Sequence, residues 1–108
     1  MFKKRFQIYI IANPPIELSA TFIEGIRKVQ LLLESKGFKV YNPYFEMQTG
    51  NFSSGFTAKL QNLMKSRAVY VMPDVSLRKG ESTELSIAID LDLLIINGLI
   101  ANIISGDL

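Results

Sequence analysis

Apolar residues change their period several times along the chain, and each change marks an element. Phe6 to Ala12 (FQIYIIA) is aromatic, β-branched or apolar at nearly every position, which predicts a strand covered on both faces. Asn13-Pro14-Pro15 ends it. From Leu18 to Lys36 the spacing turns helical: Leu18, Phe22, Ile26, Val29 and Leu33 share one side, and Glu24, Arg27, Lys28 and Glu34 gather on the other. Glu24 and Lys28 add an i, i+4 ion pair, and Gly37 supplies the stop. Phe38 to Tyr41 (FKVY) predicts a short second strand closed by Asn42-Pro43, and the polar, turn-rich stretch from Tyr44 to Gly55 predicts a loop. Phe56, Leu60, Leu63 and Met64 mark a second amphipathic helix, and Ala68 to Met72 (AVYVM) a third buried strand ending at Pro73. A loop from Asp74 to Lys79 leads through Gly80 into a third helix near Glu81 to Leu91. Leu93 to Ile96 predicts a fourth strand, and Leu99 to Ile104 is either a fifth short strand or a packed tail.

Strands alternating with helices at this spacing imply right-handed crossovers and a mainly parallel sheet of four to five strands, the first one central, with helices on both faces. The expectation is a small doubly wound α/β domain. No repeat, linker composition or low-complexity segment divides the chain, so residues 1–108 read as one domain. In such sheets ligands bind beyond the carboxyl ends of the strands, where the strand order reverses. That rule points to Asn13-Pro14-Pro15, Asn42-Pro43 and the stretch from Pro73 to Gly80.

Composition narrows the chemistry. With 108 residues, 48% of them hydrophobic, there is apolar material for one core and too little length for two. Twelve Lys and Arg against ten Asp and Glu leave a formal charge of +2, far from the clustered basic excess that binds a nucleic acid polymer. Cys and His are both absent, which removes thiol nucleophiles, disulfides, imidazole bases and the usual metal ligands. No metal and no cofactor is implied. The apolar run Ile8 to Ala12 is too short for a secretion signal, and the stretch Leu91 to Ile104, broken by Asp92, Asn97 and Gly98, falls short of the roughly 20 residues of a membrane-spanning helix. A soluble cytoplasmic protein with no membrane partner is expected.

Among the carboxylates Glu84 is the most informative. It stands in the first turn of the third helix and forms an i, i+3, i+4, i+7 set with Ile87, Ala88 and Leu91, the stripe expected to face the sheet. A partly desolvated Glu beside the strand ends can act as a nucleophile or general base; a helix-start Glu that only satisfies backbone amides is the alternative. Tyr9, in the first strand, can offer its hydroxyl to a neighbouring carboxylate or find a structural partner. Asp74 and Glu81 flank the third loop, where acids orient a polar ligand or are simply solvated. Arg78 and Lys79 either draw a phosphate to that loop or are ordinary surface bases. Tyr41, Tyr44 and Phe45 can wall a planar base or pack the loop on the core. No Gly-x-Gly-x-x-Gly or Gly-x-x-x-x-Gly-Lys motif is present, which argues against a dinucleotide or nucleoside-triphosphate loop.

The order of IYIIANPP at residues 8–15, GFKVYNP at 37–43, and AVYVMP leading through Gly80 to ESTELSIAI at 81–89 resembles the nucleoside 2-deoxyribosyltransferase-like proteins, especially their short phage and bacterial members of unassigned function. The likeness runs from Ile8 to about Gly98. It implies a Rossmann-like or flavodoxin-like parallel sheet with a nucleoside or nucleotide pocket at its strand ends. It also implies that Glu84 matches the glutamate attacking the anomeric carbon and that Tyr9 matches the tyrosine hydrogen-bonded to it. Asn13, Pro14, Asn42, Pro73, Asp74, Gly80 and Glu81 would line the substrate pocket. The chain departs from the family pattern at Ser66-Arg67, where short members carry Cys-Asp, at Asp74-Val75, where they carry Gly-Trp, and at Arg78 and Glu81, where they carry smaller residues.

Two functions follow from this. One is transfer or hydrolysis at the N-glycosidic bond of a deoxynucleoside or its monophosphate, through a covalent intermediate on Glu84. The other is a non-catalytic nucleotide-binding or sensing protein, favoured by Arg67 and Arg78; a purely structural protein that assembles through an exposed edge is a third. A homodimer or larger even-numbered assembly is expected, because so small a domain with an apolar stretch from Leu91 to Ile104 exposes part of it.

Overall fold

The structure, a computed structural model, describes residues 6–13, 19–44, 55–75 and 82–98. Among these residues four strands, β1 (Gln7–Ile11), β2 (Lys39–Tyr41), β3 (Ala68–Val71) and β4 (Leu94–Asn97), alternate with three helices, α1 (Ala20–Ser35), α2 (Gly55–Lys65) and α3 (Thr83–Asp90). All strand pairs are parallel, in the order β2-β1-β3-β4. The chain is therefore a doubly wound α/β sheet with β1 inside it, as the alternating pattern predicts. The candidate fifth strand at 99–104 lies outside the described residues.

Strand order dictates where the helices go. The step from β1 to β2 runs one way across the sheet, whereas β2 to β3 and β3 to β4 run the other way. With right-handed crossovers, that reversal puts α1 on one face and α2 and α3 on the opposite one. The core divides accordingly. Ile8, Ile10, Ala68 and Tyr70 pack with Ile26 and Leu33 of α1, while Tyr9, Ile11, Val69 and Val71 pack with Leu63 of α2 and Leu85 and Ala88 of α3. Alternate residues of β1 thus enter opposite cores, which is why the strand is apolar throughout.

Helix boundaries are set by caps. Ser19 Oγ accepts the Phe22 amide at 3.1 Å, and Ser82 Oγ accepts the Leu85 amide at 3.2 Å. The α1 stop is the one Gly37 announces: at φ 92° its amide donates to Glu34, and the Phe38 amide reaches back to Leu33. Helix α3 closes with the same pattern, but Asp92 takes the left-handed position at φ 60° while Leu93 N–H reaches Ala88 O. The buried stripe of α3 is accordingly centred on Leu85 and Ala88; Leu91, expected to face the sheet, caps the helix and is exposed.

At the amino ends of the strands, Gln7 Nε2 donates to Ser66 Oγ at 3.0 Å and to Asn62 O at 3.1 Å, tying β1 to the end of α2. Ser66 and Arg67 precede β3 here, at the opposite end of the sheet from the loops that follow β1 and β3.

Candidate active site at the carboxyl ends of β1 and β3

The strand order reverses between β1 and β3, so the crevice beyond their carboxyl ends is the switch point of the sheet. Asn13, Asn42, Pro73 and Asp74 each follow the carboxyl end of a strand, and Asn13, Pro73 and Asp74 are exposed there. Parallel crossovers return every helix with its amino end at this same edge. Lys59 lies one turn before the buried Leu63 of α2, and Glu84 one turn before the buried Ala88 of α3. The two side chains meet: Lys59 Nζ stands 3.8 Å from Glu84 Oε1, with 30% and 21% of the side chains exposed.

Tyr9 occupies the floor. Its side chain is fully buried, and its ring lies 5.2 Å from that of Tyr41. The Tyr9 hydroxyl and Glu84 Oε2 are both buried without a hydrogen-bond partner of good geometry, although the two groups are close enough to influence each other's proton. Burial pushes the Glu84 carboxyl above its ordinary pKa, while the Lys59 ammonium and then the Tyr9 hydroxyl pull it back down. The Tyr9 hydroxyl is driven far above the ordinary phenol value, by burial first and by the charge of Glu84 second. Tyr9 is therefore a neutral hydrogen-bond donor at every physiological pH, and Glu84 is the group at this edge whose proton the surroundings tune.

Tyr44 sets the wall between β1 and β2. Its hydroxyl donates to Ala12 O at 2.8 Å and accepts from Ala12 N at 2.9 Å, which is the pairing a neighbouring strand would otherwise provide to the residue just after β1. Burial, and after it the charge of Glu84, raises the pKa of this phenol too, so its charge field reaches the same crevice. Asn42 holds Tyr44 in place. Its Oδ1 accepts the Tyr44 amide at 3.0 Å, and its Nδ2 donates to Gln30 Oε1 of α1 at 3.1 Å. Asn42 is buried, and these bonds occupy both ends of its amide.

The chain matches no protein-family model, no curated protein and no solved structure.

Of the residues expected at the site, Glu84 and Tyr9 come together, Asn13, Pro73 and Asp74 stand on the same edge, and Asn42 serves the frame behind it. Pro14, Gly80 and Glu81, together with Phe45, Arg78 and Lys79, lie outside the described residues. Arg67 stands at the amino end of β3, about 13 Å along the strand from the crevice at roughly 3.3 Å per residue. It therefore lends no support to a ligand-sensing role. Lys59 and the strand-clasping role of Tyr44 are absent from the sequence reading. For Lys59 there was a signal: it sits three residues after Phe56 and four before Leu63, a cation on an apolar stripe. Among the described residues no group of three or more acidic side chains gathers to hold a metal ion, and no helix is long and apolar enough to cross a membrane.

Proposed function

We propose that the chain cleaves or exchanges the N-glycosidic bond of a deoxynucleoside or its monophosphate, with Glu84 as nucleophile. The observation that carries this reading is the pairing of a desolvated carboxylate, one oxygen of which has no partner, with an unpartnered buried tyrosine hydroxyl at the switch point of the sheet. A carboxylate oxygen of Glu84 attacks the anomeric carbon, the bond to the base nitrogen breaks, and its electron pair leaves with the base, which takes up a proton from water. Water or a second base then displaces the ester on Glu84 and restores the carboxylate. Tyr9 donates a hydrogen bond to the carboxylate or to the sugar ring as charge develops. The resemblance of the strand-one, strand-three and third-helix segments to nucleoside 2-deoxyribosyltransferase-like proteins supports the same assignment of roles.

A panel of deoxynucleosides and their monophosphates incubated with the protein, with free base separated by liquid chromatography, tests it. Base release that Glu84→Ala abolishes, and a sugar adduct on intact wild-type protein by mass spectrometry, are expected. Release that survives in Glu84→Ala overturns the nucleophile, and no release from any member of the panel overturns the reaction.

One observation favours the non-catalytic reading: burial raises the Glu84 pKa, and a protonated carboxyl is a hydrogen-bonding group without nucleophilic strength. A nucleotide sensor would then show thermal stabilisation by ligand with no turnover. Self-association and a cytoplasmic location belong to the same proposal. For association the support is an apolar surface at the β4 edge, where Ile89, Leu91, Leu94 and Ile95 are all exposed, Leu94 to 60%.

A further inference from the structure

Glu84 has two oxygens in unlike surroundings. Oε1 faces the Lys59 ammonium at 3.8 Å, and Oε2 is buried with no partner. The groups that bear on this carboxyl come from three parts of the chain: Lys59 from α2, Tyr9 from β1 and Tyr44 after β2. Of these three only Lys59 carries a positive charge. Tyr9 is a neutral phenol that offers the carboxylate a hydrogen bond and no charge, and the Tyr44 hydroxyl is engaged with Ala12. Helix α3 contributes only the modest positive end of its dipole.

We propose that Lys59 is a positioning residue for Glu84: its ammonium, reaching across from α2, orients Oε1 and favours the ionised form of the carboxyl. This rests on the reading of Glu84 as a nucleophile. The pair spans two helices, so it fixes the carboxylate to a second element and does not merely shield it. Its side chains are mostly buried, a setting in which an ion pair is screened far less than on an open surface. Both residues stand one turn before a fully buried neighbour, Leu63 or Ala88, so the helix backbones beneath them are held by the core. Burial alone pushes the carboxyl toward its protonated form, which has no nucleophilic strength. Lys59 supplies the opposing charge at Oε1.

The test is a titration of the Glu84 side-chain carboxyl carbon by NMR in protein carrying labelled glutamate, the resonance being identified by its disappearance in Glu84→Gln. Wild type, Lys59→Met, Lys59→Arg and the remote control Lys65→Met are compared, with circular dichroism to establish that each is folded. An opposite charge within about 4–6 Å lowers a carboxyl by about 1–3 pH units, and partial exposure places this pair at the lower end. Lys59→Met is therefore expected to raise the Glu84 midpoint by about 1 unit, a tenfold rise in proton affinity, while Lys59→Arg and Lys65→Met leave it near the wild-type value. The acidic limb of the base-release profile should move up by the same amount in Lys59→Met. A midpoint that does not move in folded Lys59→Met overturns the proposal, as does a shift of equal size in Lys65→Met. If the midpoint moves but wild-type protein releases no base, the reading of the reaction falls and the charge coupling of Lys59 to Glu84 stands.

Discussion

Replacing Tyr44 with Phe removes one oxygen and two hydrogen bonds. The hydroxyl both donates to Ala12 O and accepts from Ala12 N, at 2.8 and 2.9 Å, and Ala12 is itself buried. Phe keeps the ring, and with it the edge-on contact to Phe22 at 5.6 Å and 86°, so the loss isolates the hydroxyl from the packing. Two backbone groups at the end of β1 are left without partners, each costing about 1–3 kcal/mol when buried. Water reaches this strand end more easily than the sheet centre, because Asn13 next to it is exposed, so the sum is set at about 2–4 kcal/mol. Urea unfolding followed by circular dichroism reads this directly. With a slope of about 2 kcal/mol per molar, the midpoint should fall by about 1–2 M. Amide exchange gives a local check, because the Ala12 N–H should lose protection while the amides of β3 keep theirs relative to global stability. A loss below about 0.5 kcal/mol with the Ala12 amide still protected would refute the reasoning, since it would mean the strand end is satisfied by other groups.

Stability should also depend on the proton of Glu84. Its folded pKa lies above the unfolded value, so the folded state binds the proton more tightly; the associated stability is complete below the ordinary carboxylate range and is lost as pH rises through the raised value. The difference in unfolding free energy between wild type and Glu84→Gln should therefore move in favour of Gln across that window, and a difference that is flat with pH would contradict the burial argument. Gly98 admits no side chain, because a Cβ would stand 2.6 Å from Val71 O and 2.9 Å from the Tyr70 ring. Gly98→Ala should cost about 1–3 kcal/mol in a denaturant melt, and a neutral result would show that β3 and β4 can part at this end. Light scattering at tens of micromolar should give a mass above the monomer that falls in Leu94→Lys; a monomer at all concentrations would remove the proposed association.

How much of this was legible beforehand differs by element. The unbroken apolar runs at Phe6–Ala12 and Ala68–Met72 predict strands buried on both faces, and the structure places β1 and β3 side by side with a helical layer over each face. Alternation with helices, together with the handedness of crossovers, determined the parallel sheet. Gly37 marked the end of α1 because a left-handed residue is most often glycine. The matching stop of α3 was hidden, since Asp92 adopts φ 60° only because the closing bonds to Ile89 and Ala88 hold it there.

The site shows the same division. Helical spacing alone put Glu84 near the sheet-facing side of α3 and at the edge where ligands bind. Its electrostatic partner is 25 positions away in sequence, on a helix whose rotation about its axis is settled only when Leu63 enters the core beside Leu85 and Ala88. Asn42 read as a pocket residue because it follows a strand; its hydrogen bonds to Gln30 and Tyr44 exist only once α1 lies over β2. Period and turn chemistry are local properties and survive in the bare sequence. Pairing between residues on different elements depends on how those elements rotate and dock, so the ion pair at Glu84 and the clasp on Ala12 were decided by the tertiary structure.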